Sequence, residues 1–198
     1  MKKIILCTLV AVAASPAMAE TTGKIGLRFS LQSELDITIP GLGNGDTDGN
    51  AFGLYGEVGS STVFGYLDRQ SNNLDDADVD ETRFGVGVRG GNETGTLEAR
   101  FEHYDVDLDL DGIGEGGDDG FGVHIGGALP MSEKTAVFAS FGIFSLDESD
   151  GTEFQIGIRG KVNDDVELYG AYRAASLEDD VDVEYDLTDM RVGANILF

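Results

Sequence analysis

The sequence predicts an all-β fold, an up-and-down antiparallel transmembrane β-barrel of about ten strands. Three observations predict it. Apolar and polar residues alternate with a period of two in ten successive segments, the pattern of a strand with one apolar face. After the first 19 residues, no apolar run reaches the roughly 20 residues that a transmembrane helix needs. The predicted connections are alternately short and long, as in a barrel whose strands run up and down.

The first 19 residues have the pattern of a secretory signal peptide. Lys2 and Lys3 form a basic start, residues 4–14 are apolar, and residues 17–19 read Ala-Met-Ala, a cleavage site. We therefore predict a signal peptide at 1–19 and one barrel domain at 20–198. The single cysteine, Cys7, lies within the signal peptide, so the mature chain is expected to contain no thiol.

The composition is strongly acidic, with 13 basic and 37 acidic residues and a formal net charge of −24. Loss of Lys2 and Lys3 with the signal peptide leaves 11 basic residues against the same 37 acidic ones. This balance argues against nucleic acid or anionic lipid as a partner, because both are bound by positive surfaces. Acidic chains with few aromatic residues are also found among disordered proteins. The regular alternation favours a folded chain.

The ten predicted strands lie near 24–32, 51–59, 62–70, 82–90, 97–102, 121–126, 137–143, 154–161, 167–173 and 188–198. In the third strand both faces are partly apolar. There we take Phe64 and Tyr66 as outward and Arg69 as inward. In the first strand we place Gln32 on the polar face.

The predicted connections differ in length at the two ends of the barrel. Tight turns are expected at 59–61, 91–95, 130–134 and 163–165, and mostly longer acidic loops at 38–50, 71–81, 105–119, 147–151 and 177–187.

The distribution of charge decides which face of the strands meets lipid. Ten of the eleven basic residues that follow the signal peptide are assigned to the polar face, Lys134 in a turn being the exception. The apolar face carries large aromatics, as the interfacial girdles of membrane barrels do. They are Phe29, Phe52, Phe84, Phe101, Phe121, Phe141, Phe154, Tyr172 and Phe198. The alternative is a soluble barrel or sandwich in which the same face is packed inside.

The polar face would line the lumen of a transmembrane barrel. The residues expected there are Arg28, Glu57, Arg83, Arg89, Glu98, Arg100, Glu102, Arg159, Lys161, Arg173 and Arg191. In one interpretation these ions pair into a plug, as in small barrels filled by their own side chains. In the other, an excess of positive charge leaves a thin wet path that favours small anions.

The acidic loops have two interpretations. The first is a solvated, self-repelling surface. In the second, Asp107, Asp109, Asp111 and Asp118 bind Ca²⁺ or Mg²⁺, because their spacing resembles a calcium loop of the EF-hand type. The resemblance is incomplete, because the last ligand position holds Asp in place of Glu and no helices flank the loop.

The last strand carries a resemblance to a known family. Arg191, Gly193, Ile196 and the terminal Phe198 are spaced like the C-terminal assembly signal of Gram-negative outer-membrane β-barrel proteins. The resemblance implies a place in the cell outer membrane, reached with periplasmic chaperones and the barrel-assembly machinery. It also implies contact with outer-membrane lipid and lipopolysaccharide.

These features lead us to expect a porin-like narrow channel for passive transport of ions or small solutes. The alternative is a structural or adhesion barrel with acidic, divalent-cation-binding loops outside the cell. Enzymatic activity is not expected: His103 and His124 are the only histidines, and there is no nucleophile elbow, phosphate-binding glycine loop or zinc-ligand spacing. No cofactor is expected apart from Ca²⁺ or Mg²⁺ at the acidic loops.

Overall fold

The structure, a computed structural model, describes residues 21–41, 43–110, 112 and 114–198. Ten antiparallel strands follow one another in chain order, and β10 pairs with β1 to close a barrel. The strands are β1 Thr22–Ile39, β2 Gly43–Gly59, β3 Val63–Leu74, β4 Ala77–Asn92, β5 Gly95–Leu110, β6 Gly114–Pro130, β7 Thr135–Leu146, β8 Ser149–Lys161, β9 Val166–Asp179 and β10 Glu184–Leu197. This confirms the predicted fold class. The predicted signal peptide lies outside the described residues.

A belt of apolar side chains surrounds the barrel. The nine large aromatics listed above for the apolar face are all exposed on its surface. Several form an aromatic band: the rings of Phe29 and Phe52 lie 5.2 Å apart, and His103 lies 5.0 Å from Phe84 and 5.4 Å from Phe121. An exposed apolar surface of this extent around a closed barrel is the exterior of a transmembrane barrel. No helix among the described residues is long and apolar enough to cross a membrane.

The two ends of the barrel differ in how far the strands continue past the belt. The chain termini meet at one end, which we call the terminal end; the other is the distal end. At both ends consecutive strands are separated by only two to four residues. The strands contain 12 to 18 residues, more than the roughly 9–11 that cross a membrane. The surplus lies at the distal end, so the long acidic loops expected there are mainly strands that form a wall beyond the belt.

The predicted facing of β3 is wrong. Phe64 and Tyr66 are buried inside the barrel, whereas Arg69 lies outside, 3.4 Å from Asp80. The ring of Phe64 occupies the space where Gly87 has no side chain. The Tyr66 hydroxyl donates to Glu102, and the Arg89 guanidinium lies 4.0 Å from the centre of the Phe64 ring. These partners belong to other strands, so they are not visible in the alternation of β3 itself.

A β-bulge in β1 shifts the facing of its distal half. The register breaks between Ser30 and Ser33, and both residues point inward. Leu31 and Gln32 between them are exposed, so the inward assignment of Gln32 is also wrong. Because the bulge adds one residue, the inward positions change from even to odd numbers, and Leu35 follows Ser33 as the next inward residue.

Candidate functional site in the barrel interior

The interior consists of three layers stacked along the barrel axis. A vestibule lies at the terminal end. Its lining includes Lys24, Glu98, Arg100, Arg159 and Glu167, and Glu57 lies beside Lys24. An ionic layer at mid-height contains Glu81, Arg83, Glu102, Glu153, Arg173, Asp189 and Arg191. An apolar layer at the distal end contains Leu35, Leu74, Val79, Phe144, Leu146 and Leu187.

Arg173 is the centre of the ionic layer. Its side chain is 1% exposed and contacts carboxylates from three other strands. It donates to both oxygens of Glu81, to Glu153 at 2.6 Å and to Asp189 at 3.3 Å. A guanidinium buried among several acceptors satisfies the polar groups that burial would otherwise leave unpaired. The cluster therefore closes the lumen with paired charges.

Two further arginines complete the ionic layer. Arg83 lies 3.0 Å from Glu81 and 2.7 Å from Glu153, and Arg191 lies 2.8 Å from Asp189. Each carboxylate that contacts Arg173 is thereby shared with a second cation.

Aromatic side chains hold the cluster against the apolar layer. The hydroxyl of Tyr104 donates to Glu81 at 2.6 Å, and the guanidinium of Arg83 lies 4.3 Å from the centre of the Tyr104 ring. The ring of Phe144 lies on the same guanidinium, 5.2 Å away. Tyr104 thus belongs to both layers, because its ring packs with Phe144 and its hydroxyl reaches the ions.

The interior charges are balanced. The predicted lumen residues are mostly bases, but the structure adds four acids that pair with interior bases: Asp68, Glu81, Glu153 and Asp189. Glu81, Glu153 and Asp189 lie at the distal ends of the predicted apolar segments, and Asp68 shares the face of β3 that was predicted to point outward. With them, eight interior bases form ion pairs with eight interior acids. The bases are Lys24, Arg28, Arg83, Arg89, Arg100, Arg159, Arg173 and Arg191, and the acids are Glu57, Asp68, Glu81, Glu98, Glu102, Glu153, Glu167 and Asp189. The excess of positive charge expected in the lumen is absent among the described residues.

The vestibule is a cavity of about 140 Å³. Glu57 accepts from Arg89 at 2.5 Å and lies 3.3 Å from the Lys24 ammonium. Arg28 binds Asp68 through two nitrogens at the inner end of this cavity. A smaller void of about 30 Å³ lies between the vestibule and the ionic layer, which is enough for a water molecule.

The structure places most of the predicted lumen residues in these layers. Six are buried inside the barrel: Arg28, Glu57, Arg83, Glu102, Arg173 and Arg191. Four line the terminal half and are partly exposed: Arg89, Glu98, Arg100 and Arg159. Lys161 is exposed at the terminal edge of β8.

The predicted metal ligands are not brought together. Asp107 and Asp109 project outward from the distal part of β5, whereas Asp118 points inward from β6. Asp118 accepts from the hydroxyl of Ser149 at 2.6 Å. Asp111 lies outside the described residues. In the part of the chain that the structure describes, no group of three or more His, Cys, Asp and Glu side chains is arranged for a metal ion.

The outer face of the distal wall is acidic, and we call it the acidic collar. Its residues include Asp36, Asp46, Asp78, Asp80, Asp107, Asp109, Asp150, Glu178, Glu184 and Asp186. Asp36 lies directly opposite Asp186 on one neighbouring strand and opposite Asp46 on the other. Like charges in directly opposed positions destabilise a sheet, so the collar reduces the stability of the wall.

The residues of the predicted assembly signal lie where β10 closes the barrel. The backbone of Phe198 exchanges two hydrogen bonds with Gly23, at 2.7 and 3.0 Å, and its ring is exposed outside. Ile196 is also exposed on the belt. The ring of Tyr169 covers Gly193, where a larger side chain would collide with it.

The two histidines lie in different environments. His124 is buried inside the barrel, 3.6 Å from Glu102 and beside the ring of Phe144. His103 lies on the outside at the edge of the belt, 3.2 Å from Asp119.

Comparison with known proteins gives only distant likenesses. No family model matches the chain, and no curated protein matches it. Neisserial surface protein A is similar with 10% identity and a TM-score of 0.47, over 88% of this chain and 96% of that one. The translocator domain of the autotransporter NalP from Neisseria meningitidis has 12% identity and a TM-score of 0.46, over 88% of each chain. The anion-selective porin from Comamonas acidovorans has 13% identity and a TM-score of 0.38, over 78% of this chain and 55% of that one. At this distance the likenesses assign no function, and the barrel architecture rests on the strand pairing itself.

Proposed function

We propose that the chain is a barrel of the bacterial outer membrane whose lumen is closed at rest and whose distal wall faces outward from the cell. The predicted signal peptide and the resemblance of the last strand to an assembly signal support this location, and the apolar belt supports insertion into a bilayer. The proposed role is structural or adhesive: the barrel anchors the acidic collar at the cell surface.

The closure of the lumen is the observation that carries this proposal. Between the vestibule and the distal end lie the ionic layer around Arg173 and then the apolar layer around Leu35 and Leu187. An ion crossing the barrel would have to displace paired charges and then enter an apolar region without hydration. Both steps are unfavourable.

Planar-bilayer recording tests the proposal. Folded protein, verified by its heat-modifiable migration on gels, is expected to insert without resolved single-channel steps. Reproducible steps from the same preparation would contradict a closed barrel.

A porin-like narrow channel for ions or small solutes is the second candidate, and one observation favours it. The vestibule reaches to mid-height, and the water-sized void beyond it lies beside Arg28, Arg100 and Arg191. Conduction along this route requires the ionic and apolar layers to rearrange. Conductance steps that are selective for small anions would support this candidate.

The acidic collar suggests its own partners. We propose that divalent cations bridge the collar to lipopolysaccharide phosphates, because opposed carboxylates such as Asp36 and Asp186 repel each other unless a cation lies between them. Calorimetry with Ca²⁺ and Mg²⁺ tests this idea, and the absence of saturable heat at physiological salt would contradict it.

Assembly is proposed to use periplasmic chaperones and the barrel-assembly machinery. No enzymatic role is proposed for His103 or His124.

A further inference from the structure

The distal end of the lumen contains an apolar cavity that the proposed function does not use. Its volume is about 190 Å³. Tyr104 and Leu187 lie on the side toward the ionic layer, and Val79, Val106, Leu108 and Leu177 form much of the remaining wall. For comparison, an engineered apolar cavity of about 150 Å³ in another protein stays dry and binds benzene. The size and lining therefore suit a compact apolar group such as a single aromatic ring.

The rim of the cavity is acidic. Asp118, Glu148 and Asp179 line it at the distal end, together with Tyr185. One oxygen of Asp179 accepts from the backbone amides of Val181 and Val183, each at 2.9 Å, which fixes the carboxylate at the rim.

The surroundings of the rim strengthen its negative potential. The outer face of the same wall carries the acidic collar, and the whole chain has a formal net charge of −24. Clefts lined by charge of one sign concentrate ligands of the opposite sign.

We propose that this cavity binds a small apolar molecule that carries a protonated amine. The apolar part occupies the space between Val79, Val106 and Leu177, and the ammonium lies at the rim among the carboxylates. Apolar walls with a few oriented polar groups are the usual composition of a small-molecule site. An anionic ligand of the same shape would be repelled by the rim.

Fluorine NMR with para-fluorophenethylamine tests the proposal on the folded barrel in detergent. Saturable binding is expected for the protein and for Ala174→Phe, because Ala174 points outward. Binding is expected to be lost in Ala175→Phe, which fills the cavity from the adjacent inward position. If that variant does not fold, Gly116→Phe takes its place, because Gly116 lines the cavity and a Cβ added there meets no atom within 4 Å. Equal binding to Ala174→Phe and to the variant with the filled cavity, Ala175→Phe or Gly116→Phe, would mean that the probe only partitions into detergent. That result would overturn the proposal.

The charge preference is tested separately. Asp179→Asn should weaken binding of the amine roughly threefold, as expected for one partly exposed ion pair. Glu178→Gln is the matched control, since Glu178 directly precedes Asp179 in β9 and faces outward. The neutral para-fluorophenylethanol should bind more weakly than the amine and be indifferent to Asp179→Asn. Equal affinity for the alcohol and the amine would overturn the cationic part of the proposal.

Discussion

Replacement of Arg173 by methionine tests whether the ionic layer stabilises the barrel. Methionine keeps much of the length of the side chain but removes every hydrogen bond to Glu81, Glu153 and Asp189. Removing one partner of a buried ion pair costs about 3–5 kcal/mol. Arg83 and Arg191 still contact the three carboxylates, so the expected loss lies near the lower limit, about 3 kcal/mol.

The assay is reversible urea unfolding in lipid vesicles, followed by circular dichroism because the chain contains no tryptophan. Arg69→Met is the control: its side chain is 62% exposed on the outer surface, and its contact with Asp80 is 3.4 Å long. That variant should lose less than about 1 kcal/mol. If both variants lose the same free energy of unfolding, the buried cluster does not have the role that we assign to it.

Three further predictions concern the packing, the collar and the closure of the barrel. Gly87→Val should lose about 1–3 kcal/mol of unfolding free energy, because the new side chain collides with the ring of Phe64. Gly65→Val should lose less, because a Cβ added at Gly65 lies 3.8 Å from the nearest neighbouring atom. Asp36→Asn should gain about 0.5 kcal/mol by relieving repulsion from the opposed aspartates, and the gain measured by urea unfolding should shrink in roughly 1 M salt. Phe198→Ser should slow assembly in the membrane without affecting export; an unchanged rate of appearance of the heat-modifiable form would contradict this.

The alternation of residue types predicts much of the fold. In β10, Met190 and Val192 alternate with Arg191 and Gly193, and the structure places the first pair outside and the second inside. Such alternation is informative because lipid outside and ions inside impose opposite requirements on successive residues.

The interior network could not be predicted in the same way. Glu81 lies in the predicted acidic loop 71–81, and Asp189 lies at the start of the last predicted strand, directly after an acidic stretch. Both are buried because their strands continue past the belt. Their partner Arg173 is 92 residues from Glu81 and 16 from Asp189 along the chain. Contacts of this kind depend on strand register and barrel closure, and neither is visible in the periodicity of one strand.

Thiol accessibility tests the central claim that paired ions and apolar side chains close the lumen. Gln155 borders both the vestibule and the void beyond it, so Gln155→Cys places a thiol on the terminal side of the ionic layer. In vesicles of known orientation, a small charged thiol reagent that cannot cross lipid should label this cysteine from the terminal side and not from the distal side. Labelling at equal rates from both sides would show a continuous aqueous path and contradict a closed barrel.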